Sequence, residues 1–260
     1  MTEESPVFVS VHGAWHSPAC WDDVRAKLEK KEWKTEAIAH PSTGARSADV
    51  GLEDDAAAIR RVLNTLCDEG KKIVLVVHSF GGCPGANASR AFGFLQRAAS
   101  GRSGGIVMFA YLCAFVIPKR SSLVGVIGGK LAPFVRLHDN DFVTPDTPED
   151  IFYNDVQLNV QHKFVQALRP EPRRVFYDLV DYEPWNDMPC AYLFTTKDHA
   201  IPLELQKDMA LRLGSSTPTA TFEGSHSPFL SDPRWVAEKV EWLARLGLDK
   251  TREQQGSEAN

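Results

Sequence analysis

The segment from Ile73 to Gly82, with the sequence IVLVVHSFGG, constrains the fold more than any other part of the chain. Its first five residues are apolar and mostly β-branched. A run of this length is short for a helix and is typical of a strand buried on both faces, as in a parallel sheet. Ser79 and two glycines follow, and the small residues of segment 83–88 suit the start of a tightly packed helix. The segment therefore predicts a strand, a sharp turn and a helix.

A serine on a sharp turn between a strand and a helix matches the nucleophile elbow, whose pattern is G-x-S-x-G. Val77 replaces the first glycine of that pattern, whereas Gly81 is the small residue that lets the helix pass close by. The helix would direct free N–H groups and the positive end of its dipole towards Ser79. The same residues also fit an ordinary glycine turn with a surface serine, so both interpretations stay open on this segment alone.

Composition and short motifs argue against several classes of protein. The net charge of −5 comes without a basic stripe, and the small clusters at 119–120 and 173–174 do not indicate nucleic-acid binding. The five cysteines are scattered without a C-x-x-C pair, and no H-E-x-x-H occurs, so we expect reduced thiols, no metal and no cofactor. The first residues lack the basic and apolar regions that are typical of a signal peptide, and no apolar run of roughly 18 residues occurs in the sequence. We therefore expect a cytoplasmic protein without nucleic-acid or membrane partners.

Strand patterns and helical patterns alternate over most of the 260 residues. The predicted strands are 7–11, 37–39, 73–77, 106–112, 190–194 and 219–222. Alternation of this kind is typical of a doubly wound, mostly parallel sheet with helices on both faces. We therefore predict an α/β fold in which residues 1–114 and 188–248 form one core domain.

The alternation stops between residues 115 and 187, and this block is predicted to be an inserted, mainly helical lid without sheet strands. Within it, apolar residues recur every four positions from Phe152 to Leu168, which predicts one amphipathic helix. Segment 249–260 is polar and is predicted to be a disordered tail.

Groups suited to acyl transfer follow four of the predicted strands. They are the loop 12–14, Ser79, Asp198 and His226. The carboxyl ends of parallel strands meet at one sheet edge, where such folds place their sites. Acyl transfer needs a nucleophile, a base that takes its proton, an acid that orients the base, and donors for the oxyanion. The chain order serine, aspartate, histidine is that of α/β-hydrolases.

Plain structural interpretations of the same residues remain open. Asp198 would cap the helix that follows Pro202, and His226 would be a surface histidine. Asp181 and Asp187, in or beside the insertion, are weaker candidates for the acid.

The sequence resembles the α/β-hydrolase superfamily. It is most similar to the short, lid-bearing branch that includes plant methylesterases, hydroxynitrile lyases and microbial or fungal esterase-like proteins. The resemblance covers Val7 to about Leu246. It rests on HGAWH at 12–16, HSFGG at 78–82, DHAIP at 198–202 and SHSPFLS at 225–231, which occur in family order.

The resemblance implies an α/β-hydrolase fold with a specific set of site residues. Ser79 would be the nucleophile, His226 the general base and Asp198 its partner. The backbone N–H groups of Ala14 and Phe80 would form the oxyanion hole.

On this basis we expect a serine hydrolase that cleaves an ester, lactone or thioester of a small hydrophobic substrate. Aromatic residues that would line an apolar pocket, although each also fits plain core, are Trp15, Tyr111, Phe115, Tyr153 and Phe229. Two alternatives stay open: the same residues used for C–C bond cleavage or cyclisation, of retro-Claisen, Dieckmann or lyase type, and a ligand receptor with little turnover. Similar proteins often pair, so a homodimer is one expected arrangement.

Overall fold

The computed structural model describes the backbone of residues 6–258 and the side chains of residues 6–253. The strands are β1 (Val7–Val11), β2 (Thr35–Ile38), β3 (Lys72–His78), β4 (Gly105–Leu112), β5 (Val135–Leu137), β6 (Phe142–Pro145), β7 (Glu171–Pro172), β8 (Cys190–Thr195) and β9 (Thr219–Phe222). The helices are α1 (Asp22–Glu29), α2 (Leu52–Asp68), α3 (Gly82–Ala88), α4 (Phe94–Ala99), α5 (Leu123–Val126), α6 (Pro148–Tyr153), α7 (Leu158–Ala167), α8 (Leu203–Ala210), α9 (Pro228–Ser231) and α10 (Pro233–Glu258).

The main sheet has six strands in the order β2-β1-β3-β4-β8-β9. Every neighbouring pair in it is parallel. The predicted α/β fold with a parallel sheet and flanking helices is therefore confirmed. Strand β3 lies between β1 and β4, and its residues from Ile73 to His78 are all buried, as its apolar run predicts. This places the end of β3 close to the middle of the carboxyl edge of the sheet.

Residues 115–187 contain strands as well as helices, so the prediction of a block without sheet strands was wrong. Strands β5, β6 and β7 form a separate antiparallel sheet. Strand β5 has three residues and β7 has two, which is too short to show a recognisable alternation of apolar and polar residues. The insertion therefore combines a small sheet with short helices.

The single amphipathic helix predicted from Phe152 to Leu168 is two helices in the structure. Helix α6 ends at Tyr153 and α7 begins at Leu158. Val156 lies in the turn between them and is still buried. The four-residue spacing of apolar residues therefore continues across the turn, and this spacing alone does not distinguish one long helix from two short ones.

The polar segment after Asp249 is helical as far as the structure describes it, which corrects the expected disordered tail. Helix α10 continues to Glu258, and residues 259–260 lie outside the described residues. Thr251 is buried and its hydroxyl donates to the carbonyl of Leu248 at 2.7 Å. Arg252, Glu253 and the two glutamines that follow have good helix propensity. Among the described residues, none of the helices has the length and apolar character needed to cross a bilayer.

Candidate active site

Ser79 lies at the turn between β3 and α3 in a strained backbone conformation. Its φ is +53°, in the left-handed region that non-glycine residues rarely adopt. The turn also passes very close to its neighbours. A Cβ atom on Gly81 would lie 2.6 Å from the carbonyl oxygen of His12, and one on Gly82 would lie 2.2 Å from that of Phe115. Glycine is therefore required after Ser79 for steric reasons, and the turn has the geometry of a nucleophile elbow.

Asp198 and His226 form a buried pair. Nδ1 of His226 lies 2.7 Å from Oδ2 of Asp198, and the two side chains are 1% and 0% exposed. The contact fixes the imidazole so that Nδ1 donates and Nε2 is free to accept a proton. His226 is not paired with the weaker acid candidates: Asp181 binds Arg90 at 3.2 Å, and Asp187 accepts from the hydroxyl of Tyr182 at 2.6 Å.

The carboxylate of Asp198 is held on both oxygens. The backbone N–H groups of Ala200 and Ile201 each donate to Oδ1 at 2.8 Å. Oδ2 accepts from the hydroxyl of Thr195 at 2.8 Å and from the amide of Gln206 at 3.2 Å. Charge-assisted bonds of this kind compensate a carboxylate for its loss of water.

Sequence reasoning missed both side chains that hold Asp198. Thr195 is the last residue of β8, and Gln206 lies in α8, eight positions after the aspartate. Gln206 is distinguished from the other polar residues of α8 by its burial, and burial cannot be observed in the sequence.

The backbone of His226 is fixed from two other strand ends. Its carbonyl oxygen accepts from Nε2 of His78 at 2.8 Å and from Sγ of Cys113 at 3.4 Å. The ring of His226 lies 4.6 Å from the ring of His78 and 5.7 Å from that of Phe152, measured between centroids. Because His78 precedes Ser79 directly, these contacts bring the loop after β9 to the elbow.

Within the described residues, the hydroxyl of Ser79 and the imidazole of His226 make no hydrogen bond. Hydrogen bonds of this kind are often long in unliganded enzymes and tighten when substrate binds. The pair of His226 and Asp198 is therefore formed and the backbone of Ser79 is strained, but Ser79 and His226 are not hydrogen-bonded to each other.

His78, Cys113 and His226 are the cluster among the described residues whose ligand atoms lie close enough to hold a metal, within 4.8 Å of one another. Nδ1 of His226 is already bonded to Asp198, and the other two side chains donate to a backbone carbonyl. Burial also raises the pKa of the Cys113 thiol, which disfavours the thiolate that a metal would bind. The cluster fits hydrogen-bonded packing better than metal ligation.

The loop after β1 lies against the elbow. A Cβ atom on Gly13 would lie 2.8 Å from Nδ1 of His78 and 2.9 Å from Cβ of Ser79. His12 and His16 bond to backbone oxygens of their own loop, at 2.8 and 2.7 Å. Burial lowers the pKa of His12 and lowers that of His16 to about 4, so both are neutral at pH 7 and stabilise the loop.

A cavity of about 420 Å³ opens at this edge of the sheet. Ser79, Phe80 and Ala14 line it together, as the predicted roles of these residues require. Phe80 is in the first turn of a 3-10 helix (Ser79–Gly81), where N–H groups have no partner within the helix. Ala14 and Phe80 therefore line the same cavity as the serine.

The aromatic lining differs from the prediction. Trp15 and Phe115 line the cavity, but Tyr111, Tyr153 and Phe229 do not. Those three are fully buried core residues. The remaining wall comes largely from the insertion, and its larger apolar side chains include Leu123, Ile127, Leu131, Phe134, Phe152 and Phe176. The sequence did not identify them because the folding of the insertion decides which side chains face the cavity.

Comparison with known proteins identifies the family of this chain. A family model described as the alpha/beta hydrolase family matches residues 7–239. The chain belongs to this family. Among relatives, the alpha/beta hydrolase nvfD of Aspergillus novofumigatus is 24% identical over 239 residues, covering 90% of this chain and 95% of the relative. Methylesterase 18 of Arabidopsis thaliana is 28% identical over 257 residues, covering 87% of this chain and 92% of the relative.

Solved structures of α/β-hydrolases have the same fold. Polyneuridine aldehyde esterase superposes with a TM-score of 0.74 at 18% identity, covering 91% of this chain and 98% of the other. Methylesterase MES16 from Arabidopsis superposes with a TM-score of 0.72 at 22% identity, covering 93% and 99%. At this identity the likeness establishes the fold, and the chain is an α/β-hydrolase enzyme.

Proposed function

We propose that this α/β-hydrolase cleaves an ester, lactone or thioester of a small hydrophobic substrate, with Ser79 as nucleophile. The observation that carries the proposal is the buried pair of His226 and Asp198, 2.7 Å apart, at the edge of the sheet where the strained Ser79 lines a cavity. Relatives named as methylesterases support ester hydrolysis over other chemistry of the fold.

In the proposed reaction, Nε2 of His226 takes the proton of the Ser79 hydroxyl as its oxygen attacks the carbonyl carbon. The N–H groups of Ala14 and Phe80 stabilise the oxyanion. The bond to the leaving group breaks as His226 returns the proton to it, which leaves an acyl-enzyme. Water, deprotonated by His226, then attacks the acyl-enzyme, releases the acid and restores Ser79.

The lining of the cavity supports a hydrophobic substrate. Its described side chains are apolar except for those of Ser79 and Lys130, and a cavity of about 420 Å³ suits a small molecule. Burying apolar groups of a substrate there contributes roughly 25 cal/mol per Å².

A panel of short and aromatic p-nitrophenyl esters, lactones and thioesters tests the proposal, with Ser79→Ala as the inactive control. We expect turnover by the wild-type protein that Ser79→Ala abolishes. Cleavage of a β-diketone at a C–C bond, without cleavage of any ester, would replace the proposal with the C–C alternative. Tight binding of a small molecule with no turnover would replace it with a receptor.

A further inference from the structure

Trp15, the neighbour of Ala14, is held by the insertion through three hydrogen bonds. Its backbone N–H donates to Oε1 of Glu171 at 2.9 Å, and its indole N–H donates to the carbonyl of Val143 at 3.0 Å. Its own carbonyl accepts from the N–H of Arg169 at 3.0 Å. The three partners lie on β6, on β7 and just before β7, so the small sheet of the insertion is hydrogen-bonded to the loop that follows β1.

Trp15 needs such support because its backbone is strained. Its φ is +64°, a value that a bulky residue adopts only where its surroundings enforce it. The indole stacks against Phe152 and against Phe176, with ring centroids at 5.8 and 5.5 Å. Stacking fixes the side chain, but the direction of the peptide between Ala14 and Trp15 depends on the partner of the Trp15 N–H.

Glu171 is that partner, and it has an unusual environment. The residue is 0% exposed, and Oε1 also accepts from the hydroxyl of Thr43. The other carboxyl oxygen, Oε2, is buried without a hydrogen-bond partner among the described residues. Burying a carboxyl group with one oxygen unpaired is unfavourable, so stability alone does not account for its presence.

We propose that Glu171 is a positioning residue that, by holding the Trp15 N–H, fixes the peptide between Ala14 and Trp15 and thereby, through the backbone of Ala14, the direction of the Ala14 N–H in the preceding peptide. The inference rests on the proposed function, since the direction of the Ala14 N–H matters to the reaction as a donor to the oxyanion. Glu171 itself lies outside the cavity lining and acts through Trp15. The small sheet of the insertion thereby completes the oxyanion hole of the core domain.

Three variants separate positioning from mere support of the fold. Glu171→Met removes the acceptor at similar volume, Glu171→Gln keeps an acceptor oxygen, and Thr43→Val removes the second donor to the same oxygen while leaving the Trp15 bond. If Glu171→Met does not fold, Glu171→Asp replaces it, because its shorter side chain withdraws the acceptor. Active-site titration corrects each rate for folded protein.

The readouts are kcat and KM for a p-nitrophenyl ester, and hydrogen exchange in the peptide that contains Trp15. For Glu171→Met we expect kcat to fall about tenfold to hundredfold with KM changed less than about threefold, since small displacements of an oxyanion donor have effects of this size. We also expect at least about tenfold faster exchange at the Trp15 amide, whose hydrogen bond is lost. Glu171→Gln should keep kcat within about fivefold and Thr43→Val within about threefold.

A kcat for Glu171→Met within threefold of wild type would overturn the proposal, as would an equal loss in Thr43→Val. Exchange at Trp15 that is the same in Glu171→Met and wild type would overturn it as well. A wild-type protein without any ester turnover would instead overturn the proposed function, and the exchange rates would still decide whether Glu171 holds the loop.

Discussion

Nδ1 of His226 lies 2.7 Å from Oδ2 of Asp198, and every other group described against that carboxylate is a hydrogen-bond donor. Both oxygens at position 198 must therefore accept hydrogen bonds, and neither can donate one. This arrangement requires an ionised carboxylate at position 198, which keeps the imidazole in the tautomer that leaves Nε2 free to accept a proton.

Asp198→Asn should lower kcat by about 10³–10⁴-fold with little change in KM. With the asparagine NH₂ group at the Oδ2 position, it faces Nδ1 of His226 and drives the imidazole into the wrong tautomer; with the NH₂ group at the Oδ1 position, it opposes the N–H groups of Ala200 and Ile201 and displaces the side chain. Steady-state kinetics on titrated enzyme measures the effect. A loss of less than about tenfold would mean that the pair has no role in turnover.

Gln206→Leu should destabilise the protein by roughly 2–4 kcal/mol. The amide of Gln206 donates to the carbonyl of Ile201 at 2.7 Å and accepts from the N–H of Thr195 at 3.1 Å, and leucine leaves these buried groups unpaired. Urea unfolding measures the change. The exposed Gln96→Leu is the matched control and should stay within about 0.5 kcal/mol of wild type. Equal stability of the two variants would contradict the network described around Asp198.

Gly81→Ala should lower both stability and activity. Its methyl group would lie 2.6 Å from the backbone oxygen of His12, which cannot move without displacing the end of β1. Overpacking of this kind costs about 1–3 kcal/mol. Gly125→Ala, whose methyl group would meet only the Ser122 hydroxyl at 3.2 Å, is the control. Thermal unfolding and ester turnover of both variants test the prediction, and a Gly81→Ala protein as stable and active as the control would refute it.

Glu171 should make the free energy of unfolding fall as the pH rises from about 5 to 8, whereas the buried neutral His12 and His16 make it rise over the lower part of that range. Burial, the largest effect, raises the pKa of this carboxyl from 4.5 to about 8, against the hydrogen bonds from Thr43 and the Trp15 N–H, and the nearby Asp55 raises it further. Between those values the folded state binds more protons than the unfolded state, so the free energy of unfolding decreases with pH, by at most about 1.4 kcal/mol per unit for one group.

The residue at position 171 in Glu171→Gln cannot ionise, so the free energy of unfolding of this variant should fall less, or rise more, between pH 6 and pH 8 than that of the wild-type protein. Urea unfolding of both proteins at pH 6 and pH 8 provides the comparison. Burial also raises the pKa of Asp55 and lowers the pKa values of His12 and His16, and these contributions are common to both proteins. Parallel curves for the two proteins would mean that Glu171 is ionised in the folded state at pH 6.

The sequence predicted the main sheet and the set of candidate residues because both depend on strong local signals. The apolar run from Ile73 forces a buried strand wherever it lies, and a glycine pair after Ser79 allows the close turn that follows. Ser79, Asp198 and His226 each follow the end of a strand. Because the strands are parallel, those ends lie at one edge of the sheet.

The insertion was predicted less well because its structure depends on long-range contacts. Phe152 and Phe164 are buried at helical spacing, but the turn around Val156 is visible only once the helices pack. Residue type does not distinguish Tyr111 and Tyr153, which face the core, from Trp15, which lines the cavity. The path of the backbone decides which way each side chain points. Glu171 gave no signal at all, since nothing in the sequence indicates that a glutamate between two prolines is buried against Trp15.

Labelling with a fluorophosphonate followed by peptide mass spectrometry tests the central claim most directly, because the probe reacts only with a serine activated by a neighbouring base. We predict one adduct, on the peptide that contains Ser79, and labelling at least about a hundredfold slower in His226→Gln. An unlabelled Ser79 in folded wild-type protein, or equal labelling rates in the two proteins, would contradict the account.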